Sequence, residues 1–455
     1  MGSFYVENFG CRATQADGAA IERQLSEVGL VRAAAPAEAE VVVLNTCTVT
    51  ASADQDARAA IRRIHRANPK ARIVVTGCYA QRAPAELSGI EGVSLVIGNS
   101  HKHQLAQIAG GAGFVPLGDI VAPASEAEHR SAPVVVEDIF AHTGLMAAPV
   151  FDSDNEKTRP NLKVQDGCNN RCSFCVIPYV RGRSRSLPLG EVLNNVDQLV
   201  ANGYQEIVLS GINLGKWGRD LRTQTSPKEG EFSRLRFADL LRAILDRTAV
   251  PLVRISSLEA MDWSDELIAL MAASPRIAKH AHVPLQSGSD RILRKMHRRY
   301  RPWHYEDRIR RIREAMPLAA IGADVMVGFP GESDADFEQT RTMIERLPFT
   351  YLHVFTYSSR PGTPSAAMPD QLPVQIARER NRLLRELAAR KKRAFQEQLI
   401  GKTLTAITLT HQSEGRTEAL SDNYQKVWIE GLLPSNRLLT VHVRSVEGEA
   451  LTATA

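Results

Sequence analysis

The sequence predicts an α/β protein in three parts: a small parallel α/β sheet domain at the N-terminus, a central partial (β/α) barrel, and a small all-β barrel at the C-terminus. Three observations carry this. Short apolar runs alternate with helical stretches from about residue 3 to 108, the same alternation resumes after residue 158 and repeats six times, and from residue 401 the chain switches to short alternating strands. A chain of 455 residues also exceeds what one hydrophobic core usually organises, so several domains are expected.

In the first part, residues 1–110, the runs FYVENFGC, VVVLNTC and RIVVTGC alternate with the helical stretches DGAAIERQLSEVG and ADQDARAAIRRIHRA. Each run ends directly on a cysteine. In an open parallel sheet the carboxyl ends of the strands share one edge, so Cys11, Cys47 and Cys78 can meet despite their separation along the chain. Residues 111–157 are rich in Gly, Ala, Pro and acidic residues without periodicity, and read as a linker with room for one short strand. In 158–375 the candidate strands are NLKVQDG, EIVLSG, LVRISSLE, HAHVPLQ, IGADVMVGFP and YLHVFTYS, with functional groups expected at their carboxyl ends. Leucines at helical spacing among dense arginines and lysines predict a long basic helix over 376–400, closed by Gly401. The runs KTLTAITLT, ALSDNYQKVWIEG, LLTVHVRSV and ALTATA make 401–455 the small barrel.

Hydrophobic residues at 44% and charged residues at 24% exclude a disordered or fibrous chain. A formal charge of +5 is compatible with a nucleic-acid partner without requiring one. The N-terminus lacks a basic segment followed by an apolar one, and no apolar run is long enough to span a bilayer, so a cytoplasmic protein with no membrane partner is expected. In that reducing compartment the six cysteines point to metal binding or catalysis rather than disulfides.

In GCNNRCSFC, Cys168, Cys172 and Cys175 follow a strand at spacings of three and two residues, with Phe174 before the last of them. Three thiolates leave a four-iron cluster one iron short of a protein ligand. The amino and carboxylate groups of S-adenosylmethionine (SAM) can chelate that iron and place the sulfonium where an electron from the cluster cleaves it. A structural zinc site wants four ligands, and no fourth cysteine or histidine lies close by. The motif and the barrel, over roughly 158 to 370, resemble the radical SAM superfamily. That resemblance implies that Ser210, Gly211 and Asn213 face the methionine moiety, that Ser257 and Glu259 lie near sugar and methionine, and that the strand from Val325 to Gly328 faces adenine, with Phe174 also at the cofactor. Read alone, the Gly and Ser positions are tight turns and Glu259 caps a helix.

The N-terminal cysteines, taken alone, are either buried thiols or shared metal ligands. The segments ENFGC, NTCTVT and GCYAQ resemble the N-terminal domain of methylthiotransferases, which implies an auxiliary four-iron cluster on Cys11, Cys47 and Cys78. In that family one SAM methylates sulfur at the auxiliary cluster, and another yields a 5′-deoxyadenosyl radical that activates a carbon–hydrogen bond for methylthio insertion. No side chain stands out as an acid or base. His280, His282, His304 and His353 are read as packing or hydrogen-bonding residues.

Within 401–455, SDNYQKVWI resembles the TRAM domain, an RNA-binding β-barrel, although acidic and basic residues balance there. RNA binding is therefore expected to be shared with Arg181, Arg183 and Arg185, with the basic run 291–302 beside Tyr300 and Trp303, and with the helix over 376–394. NTCTVTASADQDARAAIRR and GCYAQRAPAEL resemble the branch acting on N6-threonylcarbamoyladenosine at tRNA position 37. This implies a tRNA anticodon loop as substrate, with an external electron donor and a sulfur donor. The isopentenyladenosine branch, the branch modifying an aspartate of a ribosomal protein, and a noncatalytic RNA-binding iron–sulfur protein are the alternatives.

Overall fold

The computed structural model describes residues 2–110, 131–141, 158–224 and 232–455. It divides into two compact units. The first comprises Met1–Val150 with Asp166–Asn170 and Cys175–Arg185, and the second comprises Phe151–Gln165, Arg171–Phe174 and Ser186–Ala455.

In the first unit, β1 (Ser3–Asn8), β2 (Val31–Arg32), β3 (Val41–Thr46), β4 (Arg72–Gly77), β5 (Val93–Gly98) and β6 (Val134–Val135) form one sheet in the order β2-β1-β3-β4-β5-β6. All of its pairings are parallel. Helices α1 (Arg12–Glu27), α2 (Ala51–Ala67), α3 (Cys78–Arg82), α4 (Pro84–Ser88) and α5 (Leu105–Gly110) connect the strands. The unbroken apolar run of β3 reflects burial on both faces. Val42 and Leu44 pack with Ala57, Ile61 and Ile64 of α2 on one side. On the other, Val41 and Val43 pack with Ile21 and Leu25 of α1 and Leu105 of α5. Beyond the three strands read from the sequence, β2, β5 and β6 join the sheet. The last of these lies in the expected linker, of which 111–130 and 142–157 fall outside the described residues.

All six candidate strands of the central part are present in the second unit. They are β7 (Asn161–Asp166, whose last residue belongs to the first unit), β9 (Glu206–Gly211), β12 (Leu252–Ile255), β13 (His280–His282), β14 (Ala320–Val327) and β15 (Tyr351–Thr356). Their pairings are parallel and run in sequence order within two sheets, β12-β9-β7-β8, with β8 at Arg185–Ser186, and β13-β14-β15. A parallel bridge from Val253 to Ile277 carries the first sheet toward the second, giving the partial barrel. A hairpin of β10 (Arg222–Gln224) and β11 (Phe232–Arg234) interrupts the alternation.

Helices α6 (Ile177–Arg181), α7 (Leu189–Ala201), α8 (Phe237–Arg247), α9 (Asp265–Ala273), α10 (Asp290–Lys295), α11 (Pro302–Ala315) and α12 (Asp334–Arg346) follow the strands, and α13 spans Val374–Gln398. At the C-terminus β16 (Thr403–Ser413), β17 (Arg416–Ser421), β18 (Lys426–Glu430), β19 (Leu438–Glu447) and β20 (Ala450–Thr454) close a barrel in the order β16-β17-β18-β20-β19. Leu404, Val427, Ile429, Val441 and Leu451 fill it, and Phe395 and Leu399 from the end of α13 share that core. The barrel closes the amino-terminal edge of the central strands. Tyr424 stacks on His280 at 4.4 Å between ring centres. Arg254 of β12, ion-paired with Glu206, donates to the carbonyls of Ser421 and Asp422. Among the described residues no helix is long and apolar enough to cross a membrane.

Candidate active site

At the carboxyl edge of the first sheet, Asn8 of β1 stands opposite Asn45 of β3, and Asn45 opposite Thr76 of β4. The three strands therefore end level. Cys47 and Cys78 follow directly on β3 and β4, and Cys11 caps the start of α1. Gly10 has φ +103, and a Cβ placed there would fall 2.8 Å from the Cys47 sulfur, so only glycine lets the chain bring Cys11 alongside Cys47. Cys47 and Cys78 are buried, while Cys11 is exposed; all six cysteines of the chain are free thiols. Burial, and then the neighbouring Cys78 and Cys11, push the Cys47 thiol up to about 12. A buried thiol held protonated beside two others belongs to a donor set that a cation would relieve.

A polar floor lies beneath them. Asn99 donates to the Cys78 sulfur at 3.6 Å and to the Val180 carbonyl at 2.8 Å. Lys102 reaches Asp17 and Asn45, each at 3.1 Å. Arg181 bridges Asp17 at 3.0 Å and Asp166 at 3.1 Å. Burial works against the Arg181 charge, but Cys78, Asp166, Asp17 and Cys11 outweigh it and hold the guanidinium firmly protonated. Two buried cations beside three thiols suit an iron–sulfur cluster, whose thiolate ligands make it anionic.

The loop after β7 carries Cys168, Cys172 and Cys175. Within the first unit, Gly167 has φ +70, and a Cβ there would lie 2.0 Å from the Arg183 carbonyl; the Cys168 amide donates to the Gly182 carbonyl at 3.1 Å. Within the second unit, Arg298 donates to the Cys172 sulfur at 3.2 Å, pairs with Glu259, and lies over the Tyr300 ring at 4.9 Å. Burial opposes the Arg298 charge, and Glu259 chiefly restores it. The Ser173 hydroxyl donates to the Lys295 carbonyl at 2.7 Å, and Phe174 packs against the core of Ile292, Met296 and Phe329.

Two family models match the chain: the Uncharacterized protein family UPF0004 over residues 3–98, and the Radical SAM superfamily over 162–344. The Threonylcarbamoyladenosine tRNA methylthiotransferase MtaB of Aquifex aeolicus is 37% identical over 96% of this chain and 98% of its own length. The protein of the same name from Bacillus subtilis is 35% identical over 95% and 91%. The chain belongs to the radical SAM methylthiotransferase family. A relative from Acidothermus cellulolyticus named tRNA-2-methylthio-N(6)-dimethylallyladenosine synthase is 33% identical over 98% of this chain and 83% of its own length. Among solved structures, the radical S-adenosylmethionine methyltransferase TsrM of Kitasatospora setae shares the fold, with a TM-score of 0.52 at 18% identity over 80% of this chain and 77% of that one.

Against the expectations for a radical SAM methylthiotransferase, the cofactor-facing residues divide. Ser210, Gly211 and Asn213 end β9; Ser210 is buried and donates to the Leu162 carbonyl at 3.5 Å, and the Asn213 amide donates to Gln165 at 2.7 Å. Ser257 is half-buried after β12, and Glu259 is held by Arg298. Val325 is fully buried, whereas its neighbours Asp324 and Met326 are partly exposed on the other face of β14. Gly328 donates its amide to Glu332 at 2.7 Å.

Two expectations about RNA are corrected. Arg181 is 2% exposed and spent on internal ion pairs, so it cannot reach a phosphate. Tyr300 is buried and donates to the carbonyls of Pro284 and Leu285, which removes it as a stacking ring; Trp303 is exposed. In the basic runs Arg291 pairs with Asp336, Arg294 with Asp290, and Arg382 with Glu379 and Glu386, while Arg299, Arg378, Arg385 and Arg390 are exposed. Arg183 is exposed; Arg185 is mostly buried and donates to the carbonyls of Arg181 and Arg183. On the C-terminal barrel, Trp428 is flanked by Lys426 at 4.8 Å and Arg416 at 5.5 Å, a ring-and-cation pair not picked out from the sequence.

The sequence reading also left out a polar cluster on the second sheet of the partial barrel. His282 and His353 both bond one oxygen of Asp324, at 3.2 and 3.3 Å. Tyr351 shares hydrogen bonds with His282 at 2.9 Å and His280 at 2.7 Å. Burial pushes Asp324 up, but the hydrogen bonds of His282 and His353 override it and hold this carboxylate well below its usual range.

Proposed function

We propose that this chain converts N6-threonylcarbamoyladenosine at position 37 of tRNA into its 2-methylthio derivative. One 4Fe-4S cluster sits on Cys168, Cys172 and Cys175, and a second on Cys11, Cys47 and Cys78. What supports the reading most directly is full-length likeness to relatives named for that nucleoside, together with three thiols gathered at one sheet edge. Bound at these residues, the clusters and SAM supply the carbon radical, the sulfur and the methyl group. The protein's own residues hold and screen. Arg298, fixed by Glu259, orients Cys172 through its sulfur, while Asn99 does the same for Cys78. Lys102 and Arg181 offset negative charge in a site from which water is largely excluded. Ser210, Gly211, Asn213, Ser257, Glu259, Gly328 and the backbone of Val325 line the cofactor's approach at the carboxyl ends of their strands. The substrate is the anticodon loop, where a single-stranded adenosine presents its face and edge. Arg183 is an exposed cation beside the cysteine loop, placed for the phosphates. An external electron donor and a sulfur donor complete the reaction, which runs in the cytoplasm.

The test is anaerobic turnover of reconstituted protein on two tRNAs, one bearing threonylcarbamoyladenosine and one bearing isopentenyladenosine, with nucleosides read by mass spectrometry. Methylthio product on the first alone is expected. Equal product on both overturns the branch assignment.

A further inference from the structure

The parallel register of β13, β14 and β15 places His282 beside Gly322, and Asp324 directly opposite His353. Alternation along the strands then puts His280 and His282, Gly322, Asp324 and Met326, and Tyr351, His353 and Phe355 on one face. The opposite face, with Ala323, Val325, Val327 and Val354, is buried. The first face is closed at its amino end, where Tyr424 covers His280 and Tyr351. It is open further along: His353 is 51% exposed at its side chain and Phe355 is 47% exposed. Met326, which packs on the same core of Ile292, Met296 and Phe329 as Phe174 of the cysteine loop, is two residues beyond Asp324, or roughly 7 Å along the strand. A ligand presented to the cysteine loop thus has this polar cluster within the reach of one substituent.

We propose that His282, Asp324 and His353 form the subsite that reads the N6 substituent of the substrate base, with His353 donating to the substituent's carboxylate. This rests on the reading above and names the group that selects among modified adenosines. His353 spends Nδ1 on Asp324 and has Nε2 left for a ligand. With Nδ1 turned to Asp324, Nε2 is the atom that meets the ligand, and an N–H there pairs with a carboxylate through a charge-assisted bond. His282, anchored by Tyr351, fixes the Asp324 oxygen that orients the ring. An isopentenyl group offers this cluster no hydrogen-bond partner and would leave its polar atoms desolvated and unpaired, a penalty that discriminates far better than a missing methyl group.

The experiment uses the full-length, cluster-loaded protein and a stem-loop RNA in two forms, carrying the free threonyl carboxylate or its primary amide. His353→Phe, which keeps a ring but no donor, is expected to raise KM for the carboxylate form by roughly ten- to hundredfold and to leave KM for the amide nearly unchanged. His353→Gln restores a donor and part of the loss. Reductive SAM cleavage without RNA stays at the wild-type level in both variants. Equal loss on the two RNAs, or loss of SAM cleavage, makes the cluster structural and overturns the subsite alone. Stoichiometric zinc retained by the wild type and lost in His353→Phe also overturns it, since the three ligand atoms lie within 4.8 Å of one another. A wild-type protein that ignores threonylcarbamoyl RNA but modifies isopentenyl RNA overturns the proposed function and this inference with it.

Discussion

The two cysteine triplets reach the same count of thiols by opposite routes. Cys168, Cys172 and Cys175 are gathered by one short loop, whose spacing is visible in nine letters of sequence. Cys11, Cys47 and Cys78 are brought together by the register of three parallel strands, two of them buried and all backed by Arg181, Lys102 and Asn99. A loop site is specified locally and is tuned by what leans on it, as Arg298 leans on Cys172. A sheet-edge site is specified by the fold, so it can be broken from residues far away in sequence.

The largest contrast is expected from removing each triplet. Wild-type protein should hold about eight irons per chain, two four-iron clusters. Replacing Cys11, Cys47 and Cys78 by alanine should halve the iron and abolish methylthio product while reductive SAM cleavage persists. Replacing the loop cysteines should abolish both. Iron, sulfide and Mössbauer spectra check the first statement, and 5′-deoxyadenosine release with nucleoside analysis checks the second. Full product from an N-terminal triple variant shown to hold one cluster would mean the sheet-edge site is not the sulfur carrier.

Next in size are the buried arginines. Arg181→Met removes the guanidinium shared by Asp17 and Asp166, leaving Lys102 to hold Asp17 and Arg185 beside Asp166, and should cost about 3 kcal/mol of stability by denaturant titration. Arg298→Met should cost less, because Glu259 is partly exposed, and should shift the spectrum of the loop cluster rather than its occupancy. A smaller effect separates the two turns. Gly10→Ala forces a methyl against Cys47 and should deplete only the N-terminal iron, whereas Gly167→Ala presses on the Arg183 carbonyl and should deplete only the loop iron, each straining the backbone by about 1–3 kcal/mol. Loss of both irons from either variant would erase the distinction. The smallest effect is Arg183→Ala, which should weaken tRNA binding modestly and lower the slope of log affinity against log salt by about one. An unchanged slope would remove Arg183 from the interface.

Much of this was legible in the letters, for physical reasons. A strand buried on both faces reads as an apolar run, and a cysteine at its end marks the ligand edge, so β1, β3, β4 and the six barrel strands were recognisable. β5 ends on glycine and asparagine rather than cysteine, and the two-residue β2 and β6 have no periodicity to detect. Arg181, Arg183 and Arg185 look alike in RGRSR; only the fold shows that the first points inward to Asp17, more than a hundred and sixty residues earlier. The His282–Asp324–His353 cluster depends on register across three strands, which no single segment encodes. Histidines at such positions read as packing residues until the partner strand is known.

The stacking of Tyr424 on His280 and Tyr351, with the Asn423 side-chain amide on the Leu318 carbonyl and Arg254 on Ser421 and Asp422, seats the C-terminal barrel on the amino-terminal end of the central strands. On the proposed function, SAM and the modified base would both come to the carboxyl ends of these strands, so an RNA loop seated there would slow the exchange of small molecules. Turnover would then be punctuated by departure of the RNA, and its off-rate would set a ceiling on how often a second SAM enters.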